Sequence, residues 1–188
     1  MSLRTLRTLF VAFSIFSCTS LFAAPLVVNI AGIQSAAALG DASNTVLTFN
    51  VGANATITSI SYNVNVTAFD PSYLSELALY FGDTDQSTGV FFTPGFEDSH
   101  PGTASYAESA DLVALGLDFA VGADGILRLE FFEDFNDTSV SPDGVWNFGT
   151  ITFGVQAAPG TGVPEPASLA LLGLGLAGIA AARRRLTA

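Results

Sequence analysis

The chain has 188 residues, 49% of them apolar and 12% charged, with six arginines, no lysine and seventeen acids, for a net charge of −11. Such a chain is too apolar to be disordered, its length suits one domain plus processing segments, and its acidity excludes a phosphate-neutralising nucleic-acid surface. The one cysteine, Cys18, excludes an internal disulfide framework and a Cys-rich zinc site.

At the front, Arg4 and Arg7 precede an apolar run over residues 9–16, and Phe22, Ala23, Ala24 and Pro25 form a small-residue exit. This is the pattern of a secretory signal peptide, residues 1–23, cleaved after Ala23. The apolar run is too short to span a bilayer. A retained anchor is the alternative, as is a lipoprotein built on Cys18, against which the bulk of Phe16 stands.

Residues 24–159 read as one all-β domain, an antiparallel β-sandwich or jelly roll of seven to nine strands. Within residues 24–163, sixteen acids face Arg128 alone, a net charge near −15. Ile60, Tyr62, Val64 and Val66 alternate with Ser61, Asn63, Asn65 and Thr67. Leu77, Leu79 and Phe81 repeat the period, followed by Leu115, Leu117, Phe119 and Val121, then Leu127, Leu129 and Phe131. Period two, rich in Val, Ile, Thr and Phe, predicts half-buried strands. Trp146 and Phe148 share a phase that changes at Ile151, Phe153 and Val155, which predicts a β-bulge at Gly149. Asp124-Gly125 between two alternating runs predicts a hairpin. Only residues 106–115 offer a short helix. The run over residues 57–82, with Ser75-Glu76-Leu77-Ala78-Leu79, and the later Gly144-Val145-Trp146 resemble the P domain of proprotein convertases. That resemblance implies a jelly-roll sandwich; no protease domain accompanies it here, and a fold alone does not assign function.

Chemistry-bearing groups are sparse. The only histidine, His100, lies in the turn Ser99-His100-Pro101-Gly102, and neither a lysine nor a Gly-x-Ser-x-Gly elbow is present, so a nucleophile–base pair has little to build on. Glu76, Glu97, Asp98, Glu130 and Glu133 could supply a glycosidase pair, but no spacing singles two of them out. Asp83, Asp85 and Ser87 place oxygens at alternate loop positions, the arrangement that suits Ca2+, although Gly89 and Pro94 depart from an EF-hand. Glu133, Asp134, Asn136 and Asp137 form a second acidic stretch. For both, the competing reading is a solvated loop that keeps the protein soluble. Phe91, Phe92 and Phe96 flank a Pro-Gly turn; any left exposed could stack on sugar rings, while core packing is the alternative.

The end of the chain is more specific. Residues 160–166 form a linker closing on Val163, Pro164, Glu165 and Pro166, in which the prolines keep Glu165 extended and accessible. Residues 167–188 give an apolar stretch, expected to be a single helix, ending in Arg183, Arg184 and Arg185. Sixteen apolar residues make roughly 24 Å of helix against a ~30 Å hydrocarbon core, so spanning would need local thinning or extended arginines. The arginines should stay cytoplasmic. This tripartite tail resembles the PEP-CTERM sorting signal. The resemblance implies a Gram-negative envelope, recognition of Pro164, Glu165 and Pro166 by an exosortase, transient anchoring in the inner membrane, and release to the surface or an extracellular matrix. The expected protein is therefore an exported, non-enzymatic β-sandwich for adhesion or binding. Alternatives are a calcium-dependent carbohydrate-binding module for exopolysaccharide and a small secreted hydrolase.

Overall fold

The computed structural model describes residues 24–137 and 139–159. In chain order these form β1 (Leu26–Asn29), β2 (Ile33–Ser35), β3 (Thr45–Asn50), β4 (Thr56–Ala68), β5 (Leu77–Gly82), β6 (Gly89–Phe92) and β7 (Gly102–Asp111). A single helical turn, α1 (Leu112–Leu115), then precedes β8 (Phe119–Ala120), β9 (Ile126–Glu133) and β10 (Gly144–Gln156). The expected signal peptide, with Cys18, and the apolar C-terminal segment with Arg183, Arg184 and Arg185 lie outside the described residues, as do Val163, Pro164, Glu165 and Pro166. Among the described residues, no helix is long and apolar enough to cross a membrane.

Two sheets face each other. One runs β1–β10–β4–β7, with β2 prolonging the β1 edge along β10 and β8 prolonging the β7 edge along β4. The other runs β3–β9–β5–β6, and every pairing is antiparallel. Counting each broken edge once gives eight strand positions, four per sheet. Successive strands change sheet except at the β5–β6 hairpin and along the two broken edges, and the first strand lies beside the last. That is the connectivity of a jelly roll.

Alternation builds the core. Ile60, Val64 and Val66 of β4 point inward, with Tyr62 half-buried among them, and meet Leu127, Leu129 and Phe131 of β9 and Leu77, Leu79 and Phe81 of β5. Trp146 is fully buried at the centre, edge-on to Phe131 at 5.1 Å, and its Nε1 donates to Ser35 Oγ at 3.2 Å. Strand β5 is covered on both faces, because Ala78, Tyr80 and Phe132 pack with Leu39 on its outer side. Each fully buried large apolar side chain contributes about 1.5–3 kcal/mol of transfer free energy.

Three local expectations need correction. The run from Leu115 to Val121 is not one strand. Asp111 caps α1 by accepting from Ala114 N, and Gly116 ends it in the left-handed region, leaving Leu115 and Leu117 exposed. Asp124-Gly125 does turn the chain, but between sheets: Val121 N donates to Ala55 O beside β4, whereas β9 pairs with β3 and β5. The bulge lies at Asn147, two residues before Gly149, where β10 gains a residue over β4. Gly149 has a different task. Its φ is +129°, and a Cβ there would lie 2.2 Å from Asn63 O.

Candidate functional site

Three places gather polar chemistry, one at each end of the sandwich and one on its side. At the end where β5 turns into β6, Asp83 is buried and clasps its own hairpin. Its Oδ1 accepts from Ser87 N at 2.8 Å and Thr88 N at 3.2 Å, and its Oδ2 accepts from Ser87 Oγ at 2.5 Å. Burial works to raise the Asp83 pKa, but these hydrogen bonds outweigh it and hold the carboxyl below its ordinary value. Thr84 Oγ1 reaches across to Asp124 at 2.5 Å, beside a gap of about 230 Å³. Of the three residues expected to hold calcium, Ser87 donates to Asp83 and Asp85 is left exposed. Among the described residues, no three His, Cys, Asp or Glu side chains form a ready metal cage.

The opposite end holds the acids that follow β9. Glu133 and Asp143 are fully buried. Asp143 is fixed through its backbone, with its N–H on Ser35 O and its carbonyl accepting from Phe69 N, while its Oδ2 accepts from Asp137 N at 3.1 Å. Asp137 in turn accepts from the buried Ser72 hydroxyl at 2.9 Å. Both oxygens of Glu133 and Oδ1 of Asp143 have no hydrogen-bond partner. Burial, and then the charges of Asp143, Glu76, Asp137 and Asp134, push the Glu133 carboxyl up to about 9. Arg128, the only lysine or arginine among the described residues, is not here; it pairs with the buried Glu130.

On the side, the loop after β6 folds back over β4 and β7 and leaves an open cleft of about 620 Å³. Its walls combine the rings of Tyr62, Tyr106 and Phe96 with the carboxylates of Glu97, Asp98 and Glu108. Tyr106 Oη donates to Asp98 at 2.5 Å, and burial, then that bond and the Asp98 charge, raise the phenol well above its usual range. Tyr62 is raised likewise, by burial and then by Glu108. Phe92 turns inward against Tyr62 at 4.5 Å, whereas Phe96 is 79% exposed. Phe91 is also exposed, over Tyr80 and Phe132. Of the three phenylalanines near the Pro-Gly turn, one is therefore a core residue and two are surface rings. His100 is exposed at the rim, 3.9 Å from Asp98 Oδ1.

Of the glycosidase candidates, only Glu97 and Asp98 share the cleft. Glu76 accepts from Tyr73 N, Glu130 is tied to Arg128, Asn44 and Gly40, and Glu133 is buried at the far end. Sequence reading missed Tyr62, Tyr106 and Glu108 as cleft residues. They stand in ordinary strand alternation, and only the return of the loop over them makes a cleft.

The described part is thus an acidic jelly-roll sandwich, joined to a tail that is a signal in its own right. Residues 162–185 match the PEP-CTERM protein-sorting motif. That tail marks the chain as an exported protein processed by an exosortase. No curated relative matches the chain in sequence. Among solved structures, the Tobacco streak virus coat protein dimer matches with a TM-score of 0.29 and 12% identity, over 76% of this chain and 92% of that one. The infectious bursal disease virus VP2 subviral particle matches with a TM-score of 0.27 and 13% identity, over 73% of this chain and 34% of that one. Likeness at that level carries no argument about function or assembly, and the jelly-roll assignment rests on the strand order itself. The family match lies wholly in the tail and lends nothing to a kinship with P domains.

Proposed function

We propose that this protein is a surface or extracellular-matrix component of a Gram-negative bacterium, carried through the inner membrane, held there transiently and released by exosortase, and that its sandwich is a non-enzymatic module that binds exopolysaccharide. The sorting motif supports the itinerary. The single observation that supports the binding role is the side cleft, where aromatic rings stand beside carboxylates. Sugar rings present apolar C–H faces to aromatics and hydroxyls to carboxylates, so this pairing suits a neutral or cationic glycan and repels an anionic one. A non-enzymatic role is supported by the commitment of Asp98 to Tyr106 and by the exposed position of His100.

Two measurements test this reading. Intact mass of the form released from exosortase-positive cells should lack the segment beyond the Pro-Glu-Pro region, and Glu165→Ala should leave unprocessed precursor in the inner membrane. A released form that still contains Leu169 and everything after it would overturn the itinerary. In a pull-down with the cell's own exopolysaccharide, Phe96→Ala should lower retention severalfold while shifting stability by no more than about 0.5 kcal/mol, as for an exposed side chain. Equal retention of wild type and variant would remove the cleft from the reading.

A further inference from the structure

The acids at the end of β9 pose a question that the cleft does not. Glu133 leaves β9 with its N–H on Ala37 O, and Asp143 leads into β10 with its N–H on Ser35 O, so both backbones are pinned by the stretch that begins with β2. Their side chains are nevertheless the unsatisfied ones: three carboxylate oxygens are buried without a donor. Elsewhere the same fold satisfies its buried acids. Glu130 accepts from Asn44, Gly40 and Arg128, and Asp83 accepts from Ser87 and Thr88. A buried carboxylate left unpaired is among the costliest groups a core can hold, and it persists where a counter-charge or a proton neutralises it. The four acids around Glu133, namely Asp143, Glu76, Asp137 and Asp134, have no cationic side chain among them.

We propose that Glu133 and Asp143 are ligands of a divalent cation of the oxygen-preferring class, Ca2+, which closes this end of the sandwich. The donor set is all oxygen, with neither His nor Cys, which selects a hard cation over zinc or copper. Calcium accepts six to eight oxygens in flexible geometry. Two buried carboxylates therefore need no third acid already in place: Asp137, held by Ser72, stands next in line, and water supplies the rest. Magnesium, which demands a tighter octahedron and gives up its water reluctantly, suits the pair less well. The position differs from the Asp83–Ser87 loop, where the Asp83 carboxylate already accepts from Ser87 and Thr88, and it is independent of glycan binding at the side cleft.

The test uses the full chain, stripped with EDTA and returned to buffers of matched ionic strength containing sodium, magnesium or calcium. Calcium should raise Tm saturably, by roughly 5–10 °C at a hundredfold excess over its Kd, and elemental analysis should return one calcium per chain. Glu133→Gln and Asp143→Asn should each fold in EDTA, as judged by far-UV circular dichroism, and lose the calcium increment. Asp83→Asn combined with Asp85→Asn should keep it. A calcium shift no larger than that with sodium, or no retained calcium in the wild type, would overturn the proposal and leave a protonated Glu133 as the neutralising device. So would a shift kept by Glu133→Gln and lost with Asp83 and Asp85. Because retained calcium is measured on the wild type, the proposal stays exposed to failure even if a variant does not fold.

Discussion

The contact between Trp146 and Ser35 should be worth more than its 3.2 Å length advertises. Both residues are fully buried, and Ser35 lies on β2, which pairs with the start of β10 and receives the Asp143 N–H. Ser35→Ala removes the acceptor and leaves the indole N–H buried and unpaired, a penalty of about 1–3 kcal/mol. Urea unfolding of a small protein has a slope of about 1–3 kcal/mol/M, so a loss near 2 kcal/mol lowers the midpoint by roughly 1 M. Trp146 is the only tryptophan, so its fluorescence reports the transition directly. Trp146→Phe removes the donor, and in that background Ser35→Ala should cost less than about 0.5 kcal/mol, giving a coupling energy of 1 kcal/mol or more, read by circular dichroism. A midpoint for Ser35→Ala within 0.2 M of wild type, or equal losses in the two backgrounds, would refute the reasoning.

Gly149→Ala places a Cβ 2.2 Å from Asn63 O at a φ of +129°, so it should cost at least about 1–3 kcal/mol in strain alone and sharply reduce soluble yield. Gly32→Ala, at a φ of +77° with nothing within 4 Å, should cost only about 1 kcal/mol, read from the shift in Tm on thermal melting. Burial favours the neutral form of Glu130, but hydrogen bonds from Asn44, Gly40 and Arg128, with the Arg128 charge, hold its pKa below the ordinary value. It therefore adds stability that is fully present above the unfolded carboxylate pKa of ~4.3 and fades as pH falls through the lower folded value. The Tm gap between wild type and Glu130→Gln should be wide at pH 7 and shrink below pH 4; a constant gap would contradict the assigned sign.

How much of this was legible beforehand depended on whether one strand's own pattern carried the information. Ile60, Val64, Val66, Leu127, Leu129 and Phe131 follow period two and are buried as expected, because a half-buried strand writes its orientation into its own alternation. Leu115 and Leu117 also alternate, but Asp111 and Gly116 supply local caps that outweigh two apolar residues with nothing to pack on. Turn chemistry at Asp124-Gly125 announces a reversal without saying which sheet receives the next strand. The candidate sites were harder still. The cleft and the buried acids join residues brought together by Tyr106 facing Asp98 and by Glu133 standing near Asp143, and neither pairing leaves a spacing signature. In the loop that did show a spacing, Asp83 to Ser87, the Asp83 carboxylate accepts from Ser87 and Thr88.

The pairing of the first strand with the last brings the two ends of the sandwich's chain together. Leu26 lies opposite Phe153 and Thr56 opposite Gln156, so the chain enters and leaves the fold at the same pole. Glu133 and Asp143 occupy the other pole, beyond Ala68 and Gly144, and the thirteen residues of β4 between them measure roughly 40 Å at 3.3 Å per residue. From Pro159 to Glu165 is six steps, a reach of at most ~22 Å even when fully stretched. That reach is about half the length of β4. Glu133 and Asp143 therefore stand at the pole opposite the one from which the chain leaves toward its sorting motif.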